Sequence, residues 1–253
     1  MSDDVSAEGP SAAPPPQGAQ AAKAIGRRDQ IGAGFRFASW VVPPIYSMFS
    51  YRDYHGGENL NQPGGLVVAS NHISWADPLA IARFLWDNNR VARFLVKDSV
   101  ARAPVLGTIV NSAKQIPVER GTSRAGLAAV EAVKAVKAGE TVLVYPEGTI
   151  TKDPNLWPME GRSGAVRIAV ESGAPLVPMA IWGPQEILAP YSGKPNLFPR
   201  KKISAIAGPP LDIDYLRTGT PTQEQYREAA NNLMDEITRL LEILRKEPRP
   251  ERS

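Results

Sequence analysis

Short apolar runs alternate with longer amphipathic stretches along most of the chain. The apolar runs are rich in β-branched residues and bounded by Gly, Pro or polar residues, which predicts strands at 66–70, 91–96, 115–118, 141–145, 176–182 and 203–207. The amphipathic stretches predict helices at 78–86, 103–112, 123–138, 163–172 and 223–245. This alternation indicates an α/β fold over residues 53–246, with a mixed, largely parallel sheet flanked by helices.

The two ends of the chain depart from this pattern. Residues 1–26 are rich in Ala, Pro, Gly and Gln, and they cannot bury enough apolar area to offset the entropy of ordering. They therefore predict a disordered tail, and their acidic start without an apolar stretch is unlike a secretory signal. Residues 247–253 are charged and contain proline, which predicts a frayed tail.

Residues 37–51 carry no charge and are crowded with aromatic side chains. A membrane-spanning helix needs about 20 apolar residues, so this run is too short and is also broken by two prolines. Two short helices lying in a membrane interface fit better, with Arg36 and Arg52 as head-group anchors. We predict an N-terminal amphipathic membrane-interfacial helical segment over residues 27–52; an amphipathic hairpin packed on the core is the alternative.

Composition narrows the possible chemistry. The chain has no cysteine, which excludes disulfides, thiolate-ligated metals and a cysteine nucleophile. Its two histidines leave little material for a metal site, and nothing resembles a nucleic-acid-binding module. The formal charge is only +3, but basic residues cluster at 23–28 and 200–202. These clusters indicate either a solvated surface or contact with phosphates or anionic lipid head groups.

A histidine and an aspartate, His72 and Asp77, lie directly after the first predicted strand. A neutral imidazole can accept a proton near neutral pH, and a carboxylate on its other nitrogen fixes the tautomer. In one straight helix the two side chains would point about 140° apart, so they meet only if the chain turns between them. Asp77 suits a helix N-cap and Pro78 the first helical position. We therefore predict a tight turn bearing His72 and a helix opening at Asp77, although a structural hydrogen bond would leave the same pattern.

Two later segments place polar residues after predicted strands. Arg120 follows Ile-Pro-Val-Glu, and its planar guanidinium is suited to binding phosphate. Glu147, Gly148 and Thr149 follow the strand predicted at 141–145, where glycine lets the backbone approach a ligand and the other two can bind a polyol. Ligands gather outside the carboxyl ends of strands in such sheets, so these segments are expected to share one edge. The alternatives are a surface arginine and an ordinary turn.

These segments, in this order, resemble the glycerophospholipid acyltransferase family, specifically the 1-acylglycerol-3-phosphate acyltransferases. That family shows an Asn-His-x4-Asp motif, a strand ending in arginine, a Pro-Glu-Gly-Thr motif and a later apolar-Pro strand. The matching segments here are Asn71-His72 to Asp77, Ile116 to Arg120, Pro146 to Thr149, and Leu176-Val177-Pro178. Two departures bear on the acceptor more than on the chemistry: Ile150 stands where arginine is common, and Arg162 where lysine is frequent.

The resemblance implies acyl transfer from acyl-CoA or acyl-carrier protein to the free hydroxyl of 1-acylglycerol 3-phosphate, giving phosphatidate. It also implies a peripheral enzyme on the cytoplasmic face of the membrane, with no cofactor beyond the thioester co-substrate. His72 would be the base and Asp77 its orienting partner. The remaining implied contacts are phosphate binding by Arg120, the glycerol site at Glu147, Gly148 and Thr149, and a phosphate or donor contact at Arg162.

Three other functions remain open at this stage. A related transferase would use another lysophospholipid or a glycolipid as acceptor. A thioesterase would use water, which needs no phosphate-binding arginine. A non-catalytic membrane-binding module would not need the His72–Asp77 pair. The segment Gly161-Arg162-Ser163-Gly164 lacks the Gly-x-Ser-x-Gly pattern of a nucleophile elbow, so the sequence offers no obvious protein nucleophile and no identified oxyanion donor.

Overall fold

A seven-stranded sheet runs through the computed structural model of the chain, which describes residues 46–97, 115–118 and 125–250. Its strands are β1 (Ser50–His55), β2 (Leu66–Ser70), β3 (Ala92–Lys97), β4 (Ile116–Val118), β5 (Thr141–Val144), β6 (Leu176–Trp182) and β7 (Lys201–Ala207). The described helices are α1 (Asp77–Asp87), α2 (Ala125–Lys137), α3 (Gly164–Ser172), α4 (Pro184–Ile187) and α5 (Gln223–Arg245). Short 3₁₀ turns lie at Gly57–Leu60 and Asp214–Leu216, and a helical turn lies at residues 46–49.

The strands follow the order β1-β7-β6-β2-β5-β3-β4 across the sheet. Every neighbouring pair is parallel except β6 and β7, which are antiparallel. The mixed, largely parallel sheet predicted from the sequence is therefore confirmed. The strand β2 lies in the middle between β5 and β6, and the carboxyl ends of β2 to β6 share one edge of the sheet.

Helices cover both faces of the sheet. Successive side chains of a strand point to opposite faces, so Val67 of β2 joins the core beneath α2, α3 and α5, while Val68 joins the core beneath α1. All five residues of β2 are buried, as expected for a central parallel strand covered on both sides. The core therefore holds β2 rigidly up to the point where the chain leaves it for His72.

Most of the predicted elements are present. The bounds of β2, β6 and α5 match the predicted ones, and the others differ by one or two residues at their ends. The helix predicted at 103–112 lies outside the described residues, as do the tail at 1–26 and most of the interfacial segment. None of the described helices has the length and apolar character needed to cross a bilayer.

The strand β1 corrects the predicted start of the folded domain. We placed residues 50–52 in the interfacial segment, but they pair in register with β7. The charges of Arg52 and Asp53 hide this strand in the sequence, and an edge strand with one open side tolerates them. Arg52 does not stand free as a lipid anchor, because its guanidinium lies 2.7 Å from Asp87 Oδ2 at the end of α1.

The loop between β5 and α3 is fastened to the far end of the chain. Trp157 in this loop is buried, and the Arg245 guanidinium at the end of α5 stacks 3.9 Å over its ring and 4.4 Å over that of Trp182. Thr151 Oγ1 donates to the Trp157 carbonyl at 2.8 Å. The helix α5 thus holds a loop whose other contacts, described next, reach the functional site.

Candidate active site

Asn71 extends β2 beyond its last backbone pair. The side-chain amide is fully buried; its Nδ2 donates to the Ile181 carbonyl at 3.1 Å, and its Oδ1 accepts from the Ile181 N–H at 2.9 Å. The side-chain amide thus replaces the backbone hydrogen bonds that β2 no longer makes beyond Ser70, and it keeps the chain bonded to β6. This contact carries the next residue, His72, to the carboxyl edge of the sheet in a fixed position.

The backbone of His72 is held from both sides by the loop that follows β5. Its N–H donates to Glu147 Oε1 at 3.1 Å, and its carbonyl accepts from the Thr151 N–H at 2.8 Å. Since β5 lies beside β2, the Pro-Glu-Gly-Thr loop emerges next to the histidine turn. The two motifs are therefore one hydrogen-bonded unit.

His72 and Asp77 meet across the predicted turn. His72 Nδ1 lies 2.8 Å from Asp77 Oδ2, and the same oxygen accepts the N–H groups of Ile73 at 2.6 Å and Ser74 at 2.9 Å. With Nδ1 donating to the carboxylate, the neutral imidazole keeps Nε2 as its acceptor. The pair therefore has the arrangement that a general base needs.

The helix α1 opens at Asp77 as predicted, but Asp77 does not have the predicted place in it. Asp77 is its first residue and Pro78 lies in its first turn, so Asp77 is not the N-cap. Its carboxylate accepts the N–H groups of Ile73 and Ser74, which precede the helix, and not N–H groups of α1 itself. The physical reason is that His72 and these two N–H groups converge on one oxygen, which stabilises a charge that burial would otherwise expel.

Burial and hydrogen bonding act on Asp77 in opposite directions. The side chain is fully buried, and this loss of solvation raises the pKa of the carboxyl. The hydrogen bonds from His72, Ser74 and Ile73 lower it in part. Through its contact with Nδ1, the carboxylate fixes the orientation and the tautomer of the His72 ring.

Tyr145 stacks on the imidazole of His72. The ring centroids lie 4.0 Å apart and the planes differ by 13°, while Trp75 meets the histidine edge-on at 6.3 Å. Burial raises the pKa of the Tyr145 phenol well above its usual range, so the residue offers a neutral π-face. Such a face attracts a cation, so the stack suits a ring on which positive charge develops. We did not predict this contact; a ring at the end of a buried strand was the only signal.

The Glu147 carboxylate binds backbone N–H groups from two segments of the chain. Its side chain is 5% exposed, with Oε1 on the His72 N–H and Oε2 accepting the Met159 N–H at 3.0 Å. Burial raises the pKa of its carboxyl to about 7. Both oxygens are engaged with the protein, whereas we predicted a contact with a polyol. The observed position makes Glu147 a clamp on the turn that carries His72.

Gly148 and Arg162 lie together beside this clamp. Gly148 has a positive φ of 74°, and a Cβ atom built there would lie 3.8 Å from the Arg162 guanidinium. The Arg162 N–H donates to the Pro146 carbonyl at 3.0 Å, and its side chain is exposed. Within the described part of the chain the guanidinium makes no ion pair, so it presents a positive charge to solvent next to the Pro-Glu-Gly-Thr turn. Thr149 is half-buried in the same turn.

The predicted site residues are thus only partly located. His72, Asp77, Glu147, Gly148, Thr149 and Arg162 lie at or near one edge of the sheet, but Arg120 lies outside the described residues. Its strand β4 runs parallel to β3. Over the ranges 46–97, 115–118 and 125–250, no group of three His, Asp or Glu side chains is placed to hold a metal ion.

Sequence reasoning also missed Ser74. Its hydroxyl donates to the Leu188 carbonyl at 2.6 Å, which ties the histidine turn to the end of α4. Its oxygen also accepts the Ala76 N–H at 3.0 Å. Serine is common in turns, so its position two residues after His72 carried no specific signal. The hydroxyl is used for structure and is buried.

Comparison with known proteins finds a matching family model and two curated relatives. Residues 52–182 match the family model described as Acyltransferase. A 1-acyl-sn-glycerol-3-phosphate acyltransferase of Bacillus subtilis is 27% identical over 215 residues, covering 83% of this chain and 100% of the relative. A lyso-ornithine lipid O-acyltransferase of Pseudomonas aeruginosa is 28% identical over 169 residues, covering 64% of this chain and 61% of the relative.

A solved structure has the same fold. The crystal structure of the 1-acyl-sn-glycerophosphate (LPA) acyltransferase from Thermotoga maritima superposes with a TM-score of 0.61 and is 22% identical. The match covers 88% of this chain and 87% of that one. The architecture of the sheet is therefore shared over nearly the whole length of both chains.

The raised pKa of Glu147 leads to a test of the clamp. The folded state binds this proton more tightly than the unfolded state, so the stabilisation is present below pH 4.5 and is lost as the pH rises through about 7. Glutamine does not ionise. Over that range we expect the free energy of unfolding of the wild type to fall by up to about 3 kcal/mol more than that of Glu147→Gln.

Urea unfolding at several pH values measures this difference. Glu160→Gln removes an exposed carboxylate from the same loop and should keep the wild-type pH profile. Parallel profiles for the wild type and Glu147→Gln would mean that Glu147 is not a buried, proton-binding clamp.

Proposed function

The chain belongs to the acyltransferase family, and we propose that it transfers a fatty acyl group from a thioester to the free hydroxyl of 1-acylglycerol 3-phosphate, giving phosphatidate. The observation that carries this proposal is the His72–Asp77 hydrogen bond, held in a turn that the Pro-Glu-Gly-Thr loop fixes. The Bacillus subtilis relative, aligned over its full length, supports the acceptor. Acyl-CoA and acyl-carrier protein both remain candidate donors.

The proposed chemistry is direct transfer. His72 Nε2 takes the proton of the acceptor hydroxyl as its oxygen attacks the thioester carbonyl, and Asp77 stabilises the imidazolium that results. The tetrahedral intermediate then collapses, the carbon–sulfur bond breaks, and the imidazolium returns its proton to the leaving thiolate. No acyl-enzyme is required. The absence of cysteine and the structural use of the Ser74 hydroxyl support this path.

Arginine side chains account for the choice of a phosphate-bearing acceptor. We propose that Arg120 binds the phosphate and that Arg162 adds a second positive charge over Gly148. The exposed, unpaired guanidinium of Arg162 within the described residues, beside a turn with little side-chain bulk, supports this role. Gly148 and Thr149 would then shape the glycerol site from the backbone and hydroxyl sides.

A lysolipid with another head group is the second candidate acceptor. The Pseudomonas aeruginosa relative is named for a lyso-ornithine lipid, and its identity to this chain is similar to that of the Bacillus subtilis relative. Ile150 and Arg162, which depart from the common family pattern, lie in or near the proposed acceptor site. Radiolabelled acyl-CoA supplied with a panel of lysolipids distinguishes these acceptors, and free acid alone would indicate a thioesterase.

We propose a peripheral position at the cytoplasmic face of the membrane, as the family resemblance implies. The acceptor and the product of the proposed reaction are membrane lipids, so an enzyme attached at the interface meets them without extracting them far from the bilayer. The interfacial role of residues 27–45 stays a prediction, since that part of the segment lies outside the described residues.

The first activity test concerns His72. His72→Ala should lower turnover by about a hundredfold or more, since general-base catalysis contributes about 10²–10⁴. Asp77→Asn should also be severe, because an amide can favour the wrong tautomer. Initial rates with saturating substrates measure both effects.

The chain supplies its own control for this test. His55 also lies 2.8 Å from an aspartate, Asp53, but this pair is exposed at the edge strand β1. His55→Ala should keep wild-type turnover. Near-normal transfer by folded His72→Ala would exclude the proposed mechanism.

The stacked ring of Tyr145 is tested by a pair of substitutions. Tyr145→Leu removes the π-face and should lower kcat about two- to thirtyfold, because a cation over such a face gains about 0.5–2 kcal/mol. Both KM values should change little, since the ring acts through His72. Tyr145→Phe keeps the face and should retain nearly the full kcat. Equal losses in the two variants would show that the hydroxyl, not the stack, matters.

The acceptor assignment is tested at the arginines. Arg120→Ala and Arg162→Ala should each raise the acceptor KM about ten- to a hundredfold, the effect of losing a charge-assisted hydrogen bond, and leave the donor KM nearly unchanged. Lysine should rescue Arg120 only in part, because it lacks the planar fork. Arg227→Ala, an exposed arginine on α5, is the control. An unchanged acceptor KM, or a preference for a neutral glycolipid, would remove the phosphatidate assignment and leave acyl transfer standing.

A further inference from the structure

Large apolar side chains lie exposed where the helical turn at 46–49 meets the loop between α4 and β7. Phe198 is 69% exposed and Met48 is 62% exposed. Phe49 joins the two segments, because its ring meets that of Phe198 edge-on with centroids 5.4 Å apart. Soluble proteins rarely leave such side chains clustered in water without a function. We call Met48, Phe49 and Phe198 the apolar rim.

The apolar rim is fastened to the folded domain. Arg200 Nη2 donates to the carbonyls of Ser47 at 2.8 Å and Ser50 at 2.7 Å, which holds the helical turn against the loop. The Asn196 N–H donates to the Ile187 carbonyl at 2.7 Å and closes the loop back onto the end of α4. The apolar side chains are therefore presented by a shaped surface.

The loop that carries Phe198 has charges of one sign. No Asp or Glu occurs between Leu188 and Lys202, whereas Lys194, Arg200, Lys201 and Lys202 all lie in this stretch. Lys202 pairs with Asp53 and Lys201 is buried, which leaves Lys194 and Arg200 as the exposed cations of the loop that carries Phe198. Apolar side chains bordered by cations match the interface of an anionic bilayer, with acyl chains below and phosphates above.

The loop that carries the rim is attached directly to the active site. It begins at Leu188, whose carbonyl accepts the Ser74 hydroxyl of the histidine turn. The Tyr191 hydroxyl donates to the Ile150 carbonyl at 2.8 Å, next to Thr151, which binds the backbone of His72. A surface bound to the loop would therefore lie beside the catalytic turn.

We propose that the apolar rim, with Lys194 and Arg200, is a membrane-contacting surface of the catalytic domain itself, in addition to any contact made by residues 27–45. It inserts Phe198 and Met48 into the interface of an anionic bilayer and holds the His72 turn toward the lipid. The choice of a bilayer as occupant rests on the proposed function, in which the acceptor and the product are membrane lipids, and on the unbroken positive charge of the loop. Binding is measurable without turnover, so its failure is separate from a failure of acyl transfer.

Tryptophan placed at the rim reports insertion. Phe198→Trp in the full chain, mixed with vesicles of phosphatidylcholine and phosphatidylglycerol that carry brominated acyl chains, should lose fluorescence beyond the loss seen for the wild type. Leu127→Trp is the matched control, because Leu127 is 63% exposed on α2 and outside the rim. Equal quenching of the Phe198→Trp and Leu127→Trp proteins would overturn the proposal.

Removing the apolar side chains tests the binding strength. The double variant Met48→Ser with Phe198→Ser should bind these vesicles at least about tenfold more weakly, the effect of losing one buried apolar side chain or more. Leu127→Ser should bind as the wild type does. Thermal melting checks that each variant is folded, and Phe198→Trp provides an independent reading if the double variant is not.

Two further measurements separate membrane binding from a loss of activity and from self-association. One varies the lipid charge, and the other uses a soluble substrate. Lys194→Glu should weaken binding to vesicles with phosphatidylglycerol more than to pure phosphatidylcholine. The double Ser variant should retain transfer to a short-chain, monomeric 1-acylglycerol 3-phosphate. Unchanged vesicle binding together with an altered oligomeric state in the double variant would assign the rim to a second copy of the chain and overturn the membrane proposal.

Discussion

The turn that carries His72 is held by hydrogen bonds from the neighbouring strand and loop. Asn71 is paired with β6, the N–H of His72 with Glu147, and its carbonyl with Thr151. A general base must be held within hydrogen-bond reach of the proton that it takes, so fixing the backbone fixes the chemistry. The motif that the sequence shows as Pro-Glu-Gly-Thr is therefore at least as much a support for the histidine as a binding site.

Two contacts of the His72 imidazole bear on the charge that this ring carries in the proposed mechanism. A buried carboxylate binds Nδ1 of His72, and a neutral aromatic ring covers the face of its imidazole. In the proposed mechanism, both contacts stabilise the positive charge that His72 acquires when it takes the proton of the acceptor hydroxyl. If so, Asp77 and Tyr145 lower the barrier to acyl transfer and do not merely tighten substrate binding.

The sequence predicted the elements of this fold better than their arrangement. The apolar runs of β2 and β6 were readable because a strand buried on both faces leaves little room for polar residues. The edge strand β1 was missed because one open side lets it carry Arg52 and Asp53. The strand order cannot be read from such runs, and without it the stacking of Tyr145 on His72, which requires β5 beside β2, could not be found.

The same limit applies to the site. The pairing of His72 with Asp77 was predictable, since the spacing and the following proline required a turn between them. The backward direction of the Asp77 carboxylate and the engagement of Glu147 with backbone N–H groups were not, because a carboxylate in a sequence does not show which donors surround it. The role of Arg120 stays a prediction, as it lies outside the described residues.

The stacking of Arg245 between two tryptophans has a practical consequence for handling the protein. Arg245 is the last residue of α5, yet through Trp157 and Thr151 it supports the loop that binds His72. The last turn of α5 thus contacts the loop that binds His72, although the two segments are far apart in the sequence. Shortening the protein back into α5 would remove Arg245, and with it the stack that supports this loop.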